Sequence, residues 1–305
     1  QMCIRDSSTV SRQLIQRFDA SRYFELTGIF ASYSQGMESM RRSRTDILLE
    51  IPQGFEKAQV CGQKPSVQVT LNAVNGMKGG LGNSYIQQIL NGQPQPVTLQ
   101  YLFNPHLNYK LFMIPALMTM LLLMFCAFLP ALNVVSEKET GTIEQINVTP
   151  VSRFTFILAK ILPYWSVGFV VLNLCILLSW LIYGITPAGS LLTIYLAALV
   201  FGLVMSGMGL VISNYSSNMQ QAMLVMWFCL LTFVLMSGLF TPISSMPDWA
   251  QYLTYINPLR YFMEIMRMVY LKGSSLSDIL LPISVLSFFA VVLYGWAILS
   301  YRKQK

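Results

Sequence analysis

The chain has 305 residues, 54% hydrophobic and 11% charged, with a mean hydropathy of +0.53 and a formal charge of +7. That is the composition of a membrane protein. The positive balance does not point to nucleic acid, because the basic residues are scattered or stand beside apolar runs, where they orient helices.

More than half of the Asp, Glu, Lys and Arg residues fall in residues 1–110, although these make up the smaller part of the chain, so a soluble region precedes a membrane region. The soluble region alternates α and β. Residues 9–18 have helical spacing, with Val10, Leu14 and Phe18 on one face. Residues 23–30 and 46–51 read as strands, the second ended by Pro52, with a short helix over 36–42 between them. Residues 66–71 alternate strictly, and a helix over 81–90 leads to a strand over 97–103. This predicts a small α/β domain with its own core. Gly76, Gly79, Gly80 and Gly82 lack the Lys-Ser or Lys-Thr of a Walker A loop and read as a flexible turn. Of the five cysteines, Cys126, Cys175 and Cys229 lie in apolar runs as small hydrophobes. Cys3 and Cys61 allow one disulfide and require none. His106 is the only histidine and reads as an interfacial loop residue, so no catalytic triad or metal site is expected.

Five apolar runs follow, at 111–132, 156–183, 191–213, 219–240 and 279–301. Each has about 20 residues or more, enough for ~30 Å of hydrocarbon. Between the first two lies residues 136–153, SEKETGTIEQINVTPVSR. A charge at a helix centre in lipid costs ~2.5 to 3.5 kcal/mol, so Glu137, Lys138, Glu139 and Glu144 belong in water. Ile143 and Ile146 give this loop a weak apolar side, Gly141 breaks it and Thr149-Pro150 ends it, which predicts a short surface helix.

Lys138, Arg153 and Lys160 flank this loop, and Arg302, Lys303 and Lys305 follow the last run. The positive-inside rule therefore places the loop and the C-terminus in the cytoplasm, and five crossings place residues 1–110 outside. Nothing at the N-terminus would carry such a domain across, so one more span is expected upstream.

Residues 241–271 are too polar to cross and too apolar for a free loop. Pro247 can start one short helix, and Asn257-Pro258 a second. On the second, Arg260, Glu264 and Arg267 share a face opposite Leu259, Phe262, Ile265 and Met266. With Trp249, Tyr252 and Tyr255 at headgroup level, this reads as a re-entrant hairpin in the outer leaflet. No acidic pair lies inside a span, which weighs against an ion-coupled transporter. Gly202 with Ser206 and Gly209 with Ser213 suit close helix packing, and Pro115, Pro130 and Pro163 can kink their helices.

The stretches EKETGTIEQINVTP (137–150), KILPY (160–164), IPQGFEK (51–57), FNPHLN (103–108) and INPLRYFMEIMRMVYLKG (256–273) resemble type-2 ABC exporter permeases, in particular the bacterial drug-efflux branch with a large periplasmic domain. The resemblance implies a polytopic helical permease of six transmembrane helices, five of them here, with an extracytoplasmic α/β domain, in the bacterial inner membrane. It implies that Glu137, Glu139, Gly141, Thr142 and Glu144 couple to a separate ATP-binding subunit, which would hold ATP and Mg, and that this chain carries no cofactor of its own. It also implies a second permease, identical or paralogous, as partner, and a periplasmic adaptor and membrane lipids are further expected partners. The function expected is export of hydrophobic or amphipathic compounds. A membrane-anchored periplasmic sensor or scaffold that recruits a cytoplasmic partner is the rival, and secondary transport the weakest alternative.

Overall fold

The computed structural model describes residues 2–4, 9–21, 24–30, 32–42, 45–61, 66–74, 76–90, 97–104, 108–142, 153–240, 243 and 246–300. The chain divides into two compact units, Gln1–Phe112 and Met113–Lys305.

In the first unit β1 (Met2–Ile4), β2 (Ile29–Phe30), β3 (Ile47–Ile51), β4 (Val67–Asn72) and β5 (Val97–Leu102) form one sheet in the order β2-β1-β3-β4-β5. β1 is parallel to β2 and β3, β4 is antiparallel to β3, and β5 is parallel to β4. Strand alternation sorts the side chains by face. Leu49, Ile51, Val67, Val69 and Leu71 form one core with Leu14 and Phe18 of α1 (Thr9–Asp19), Phe55 of α3 (Phe55–Val60) and Ile86 of α4 (Gly76–Leu90). Leu48 points the other way and packs with Met40 of α2 (Tyr33–Arg41). Gly36 lets α2 lie close, since a Cβ there would stand 2.5 Å from Leu48 Cδ1.

Three sequence expectations change here. The strand expected over 23–30 is confined to Ile29–Phe30, and residues 24–28 are irregular. The expected glycine turn is instead the first half of α4. Glycine costs a helix about 1 kcal/mol per residue, but its missing side chain admits the sheet: a Cβ on Gly82 would stand 3.2 Å from Leu71 Cδ2. Two elements, β1 and α3, were not expected, because three and six residues are too few to show a period. Cys61 is a free, exposed thiol.

The second unit is helical. Four helices among the described residues are long and apolar enough to cross a membrane: α5 (Tyr109–Glu139), α6 (Arg153–Tyr183), α7 (Leu191–Tyr215) and α11 (Leu280–Ser300). The fourth expected span, 219–240, is shorter. Helix α8 (Met219–Leu235) has 17 residues and ends where Ser237 Oγ donates to Val234 O and Gly238 turns the chain with φ 78°. At 1.5 Å per residue it covers about 25 Å. Helix α5 runs further than expected, keeping Ser136 to Glu139 in its last turn. Before Pro130 it winds into a wider π-turn, Met124–Phe128, which gives room to a ring that cannot donate to the helix ladder. Pro115 and Pro163 lie inside continuous helices.

Helix α7 is the centre of the bundle: most of its apolar length is buried by other helices, whereas α6 and α11 leave most of theirs exposed. Its small residues make this contact distance, as the spacing predicted. A Cβ on Gly209 would stand 2.6 Å from Ala127 O of α5. Ser206 meets the Tyr294 hydroxyl of α11 at 2.8 Å.

Two short helices, α9 (Asp248–Thr254) and α10 (Pro258–Lys272), join α8 to α11. Helix α10 buries Leu259, Phe262, Ile265 and Met266 as its pattern predicts, and Met263, Met268, Val269 and Tyr270 as well. Its C-terminal carbonyls, at Val269 and Tyr270, accept from Gly189 and Ala188 N–H, both at 3.0 Å. The Tyr270 hydroxyl meets Ser179 Oγ of α6 at 2.9 Å.

Candidate coupling site

The last turn of α5 carries Glu137, Lys138 and Glu139 in succession. Neighbouring residues of a helix point about 100° apart, so three in a row cannot face one partner. Each reaches a different helix. Glu137 forms an ion pair with Lys160 of α6. Its second carboxylate oxygen is buried and has no hydrogen-bond partner among the described residues.

Lys138 Nζ donates to the carbonyls of Ser213 at 2.7 Å, Asn214 at 3.0 Å and Ser216 at 3.2 Å. These lie at the C-terminal end of α7, where carbonyls lack helical partners and the helix dipole is negative. Glu139 Oε1 accepts from Met219 N–H at 2.7 Å, at the N-terminus of α8, where the dipole is positive. Asn218 completes that cap by accepting from Gln221 N–H at 2.7 Å. Both helix-end contacts therefore have the favourable sign.

Beyond Glu139 the chain turns at once. Gly141 has φ 74°, open space where a Cβ would be, and no L side chain adopts this conformation without strain. Thr140 Oγ1 donates to Ser136 O at 3.0 Å and meets Thr142 Oγ1 at 2.9 Å. Glu139 and Thr142 are exposed. Glu144 and the rest of the surface helix expected after it lie outside the described residues, as do His106 and the basic C-terminal tail.

The hairpin residues form a second group, which meets the other end of α7 through Gly189. Asn257 Oδ1 accepts from Leu259 N–H at 3.0 Å and its Nδ2 donates to Phe233 O at 2.8 Å, with Pro258 at the first helical position. Arg260 donates to Thr254 Oγ1 and lies 4.3 Å from the centre of the Tyr255 ring. Both terminal nitrogens of Arg267 donate to Gly238 O at 3.2 Å. The two arginines thus hold α9 and the turn after α8, a role that a stripe on a helical wheel does not reveal. Burial pushes the Glu264 carboxyl above its ordinary value, opposed by Arg260, Lys272 and Arg267. Burial also pushes Arg267 down to about 10, with Glu264 opposing.

In the sequence Lys138 is a flanking charge of the loop, and Lys160 a flanking charge that opens the KILPY stretch; neither stands out as a site residue. Their partners are 75 and 23 residues away, beyond any local pattern. The Asn218 cap did have a signal, an Asn followed three residues on by Gln before an apolar run.

The profile of the ABC-2 family transporter proteins matches residues 3–299. The chain is 29% identical over 283 residues to the probable multidrug ABC transporter permease YbhR of Escherichia coli K12, covering 89% of this chain and 77% of that protein. It is 31% identical over 270 residues to the probable multidrug ABC transporter permease YbhS of the same organism, covering 86% and 68%. It is 24% identical over 317 residues to the inner membrane transport permease YhhJ of that organism, covering 98% and 83%.

Proposed function

The chain belongs to the ABC-2 family of transporter proteins, and from that premise we propose that it is the permease subunit of an ATP-driven exporter that moves hydrophobic or amphipathic compounds, drugs among them, out across the bacterial inner membrane. ATP hydrolysis belongs to a separate subunit, in keeping with a sequence that carries no Walker A motif. The observation that carries the reading is the splayed grip of Glu137, Lys138 and Glu139 on α6, α7 and α8. A segment that continues directly from this grip through Gly141 is one whose displacement reaches three helices of the bundle.

On this reading residues 136–153 dock on the ATP-binding subunit. Thr142 and Glu144 face it, while Glu137 and Glu139 tie the docking segment to the bundle. The sheet-containing unit is periplasmic, the C-terminus is cytoplasmic, and the α9–α10 hairpin lies in the outer leaflet with Trp249, Tyr252 and Tyr255 exposed to lipid headgroups. A second permease, identical or paralogous, completes the pathway, and a periplasmic adaptor receives the exported compound.

The test is co-purification of the permease with its ATP-binding subunit, comparing the native loop with Glu144→Arg, followed by ATP hydrolysis in proteoliposomes. The native complex retains the ATPase and Glu144→Arg loses it. Failure of the native chain to retain any ATPase would remove the engine and leave the periplasmic scaffold as the reading.

A further inference from the structure

We infer that Lys138 is a positioning residue that locks the end of α7 to the coupling segment, so that α5, α7 and α11 move as one body against which α6 and α8 turn. The inference rests on the proposed coupling role of the segment after α5 and adds to it which helices follow that segment and which residue makes them do so.

Three observations divide the bundle in this way. The first is the Lys138 contact itself. An ammonium has three N–H donors, and Lys138 finds three backbone carbonyls, those of Ser213, Asn214 and Ser216. The site is partly withdrawn from water, at a helix end whose dipole favours a cation, so leaving it requires all three carbonyls to find new donors.

The second is that the same two helices are also joined along their length. Gly209 of α7 lies so close to Ala127 of α5 that a Cβ would stand 2.6 Å from the carbonyl oxygen. Backbones in such contact cannot slide without separating. Helix α11 joins them through α7, since Ser206 meets the Tyr294 hydroxyl at 2.8 Å and Asn214 Nδ2 donates to Ala297 O at 2.9 Å and Ser300 Oγ at 2.8 Å.

The third is the contrast with α6 and α8. Helix α6 packs along α5 through side chains alone, Gly168 facing Leu122 and Cys126, and is held to the end of α5 by the Glu137–Lys160 pair, whose side chains are 17% and 32% exposed. Helix α8 packs on α5 through the edge-to-face rings of Phe128 and Trp227, and at the end of α5 it is held by a hydrogen bond from Met219 N–H to the exposed Glu139. Water can replace the two polar contacts in turn as a helix swings. An ATP-driven pull on the segment after Gly141 therefore carries α7 with α5 and changes their distance from α6.

The test uses the complete permease with its ATP-binding subunit in lipid nanodiscs and pairs of spin labels on exposed positions. Thr140, which caps the end of α5, reports with Tyr215 on that end against α7 and with Ala159 on that end against α6. Distance distributions are compared with and without ATP, Mg and vanadate. The α5–α7 distance is expected to stay fixed while the α5–α6 distance shifts. Lys138→Met broadens the α5–α7 distribution and makes it nucleotide-dependent, and Lys138→Arg, which keeps the charge and several donors, restores the narrow one. A α5–α7 shift as large as the α5–α6 shift in the unsubstituted protein overturns the inference whether or not any Lys138 variant folds. An unchanged α5–α7 distribution in Lys138→Met overturns the role of Lys138. Both of those results leave the permease reading intact. A complex that retains no ATPase and moves at neither pair overturns the permease reading, and this inference with it.

Discussion

The ring of Phe201 in α7 stacks on that of Phe262 in α10, with centroids 4.1 Å apart and planes 6° from parallel. Both side chains are fully buried. The pair fastens the hairpin helix to the central helix of the bundle, so it is the place to test whether α10 is structural core. Phe262→Ala is expected to cost about 3 kcal/mol, the low end for a buried Phe→Ala change, because lipid tails solvate apolar surface almost as well as protein does. Phe262→Leu is expected to recover more than half of it. Thermal unfolding of the purified protein in detergent checks this, and unchanged unfolding in Phe262→Ala would show that the stack contributes nothing.

Glycines in the membrane helices are predicted to divide sharply by what surrounds them. Gly209→Ala must push a methyl group against Ala127 O, which would lie 2.6 Å away. Overpacking of this kind costs about 1 to 3 kcal/mol. Gly295 in α11 has nothing within 4 Å of the position a Cβ would take. There alanine is expected to be neutral or to stabilise by up to about 1 kcal/mol through helix propensity. Side-by-side melting curves of the two variants decide the matter, and equal effects would mean that the α5–α7 approach is not tight.

What the sequence revealed follows from how far each signal reaches. Helix caps are local, and so Asn257-Pro258 and Gly141 were legible: an N-cap Asn before Pro and a glycine at φ 74° each act within a few residues. The long apolar runs were legible for the same reason, because burial in lipid needs no partner in the sequence. The end of α8 was not, since hydropathy continues through Gly238 and Phe240 while the backbone has already turned. Helix α4 defeated propensity at Gly82, which lies against Leu71 and Ile47 of the sheet beneath it. Above all, Lys138 was read as one charge among several in a polar loop, and only the fold brings it to three carbonyls more than 70 residues along the chain.

The ion pair between Glu137 and Lys160 is expected to make only a modest contribution. The lysine side chain is 32% exposed and the glutamate 17%, so water screens the pair in part. Glu137→Gln and Lys160→Met are each expected to lower stability by about 1 to 2 kcal/mol, with a coupling of roughly 1 kcal/mol in the double variant. A double-mutant cycle on unfolding measures it. Strict additivity would show that the two side chains act independently and that α6 is held to α5 by packing alone.

Glu264 offers a test through pH. Burial raises its carboxyl above the ordinary value of 4.5, and this outweighs the opposing pull of Arg260, Lys272 and Arg267. The folded protein therefore disfavours the charged form relative to the unfolded chain. For such a group the stabilising contribution is fully present below 4.5 and is lost as pH rises through the elevated folded value. Glu264→Gln keeps the shape and the neutral state but cannot ionise. Its melting temperature is expected to track the native protein below the ordinary carboxylate value, to rise above it as pH climbs from there, and to hold a constant margin once the raised folded value has been passed. If the native protein instead gains on Glu264→Gln as pH rises, the three cations outweigh burial and the carboxylate is a stabilising partner of the arginines. That outcome would make the stripe on α10 an ion-pair network, where the geometry now favours separate latches to Thr254 and Gly238.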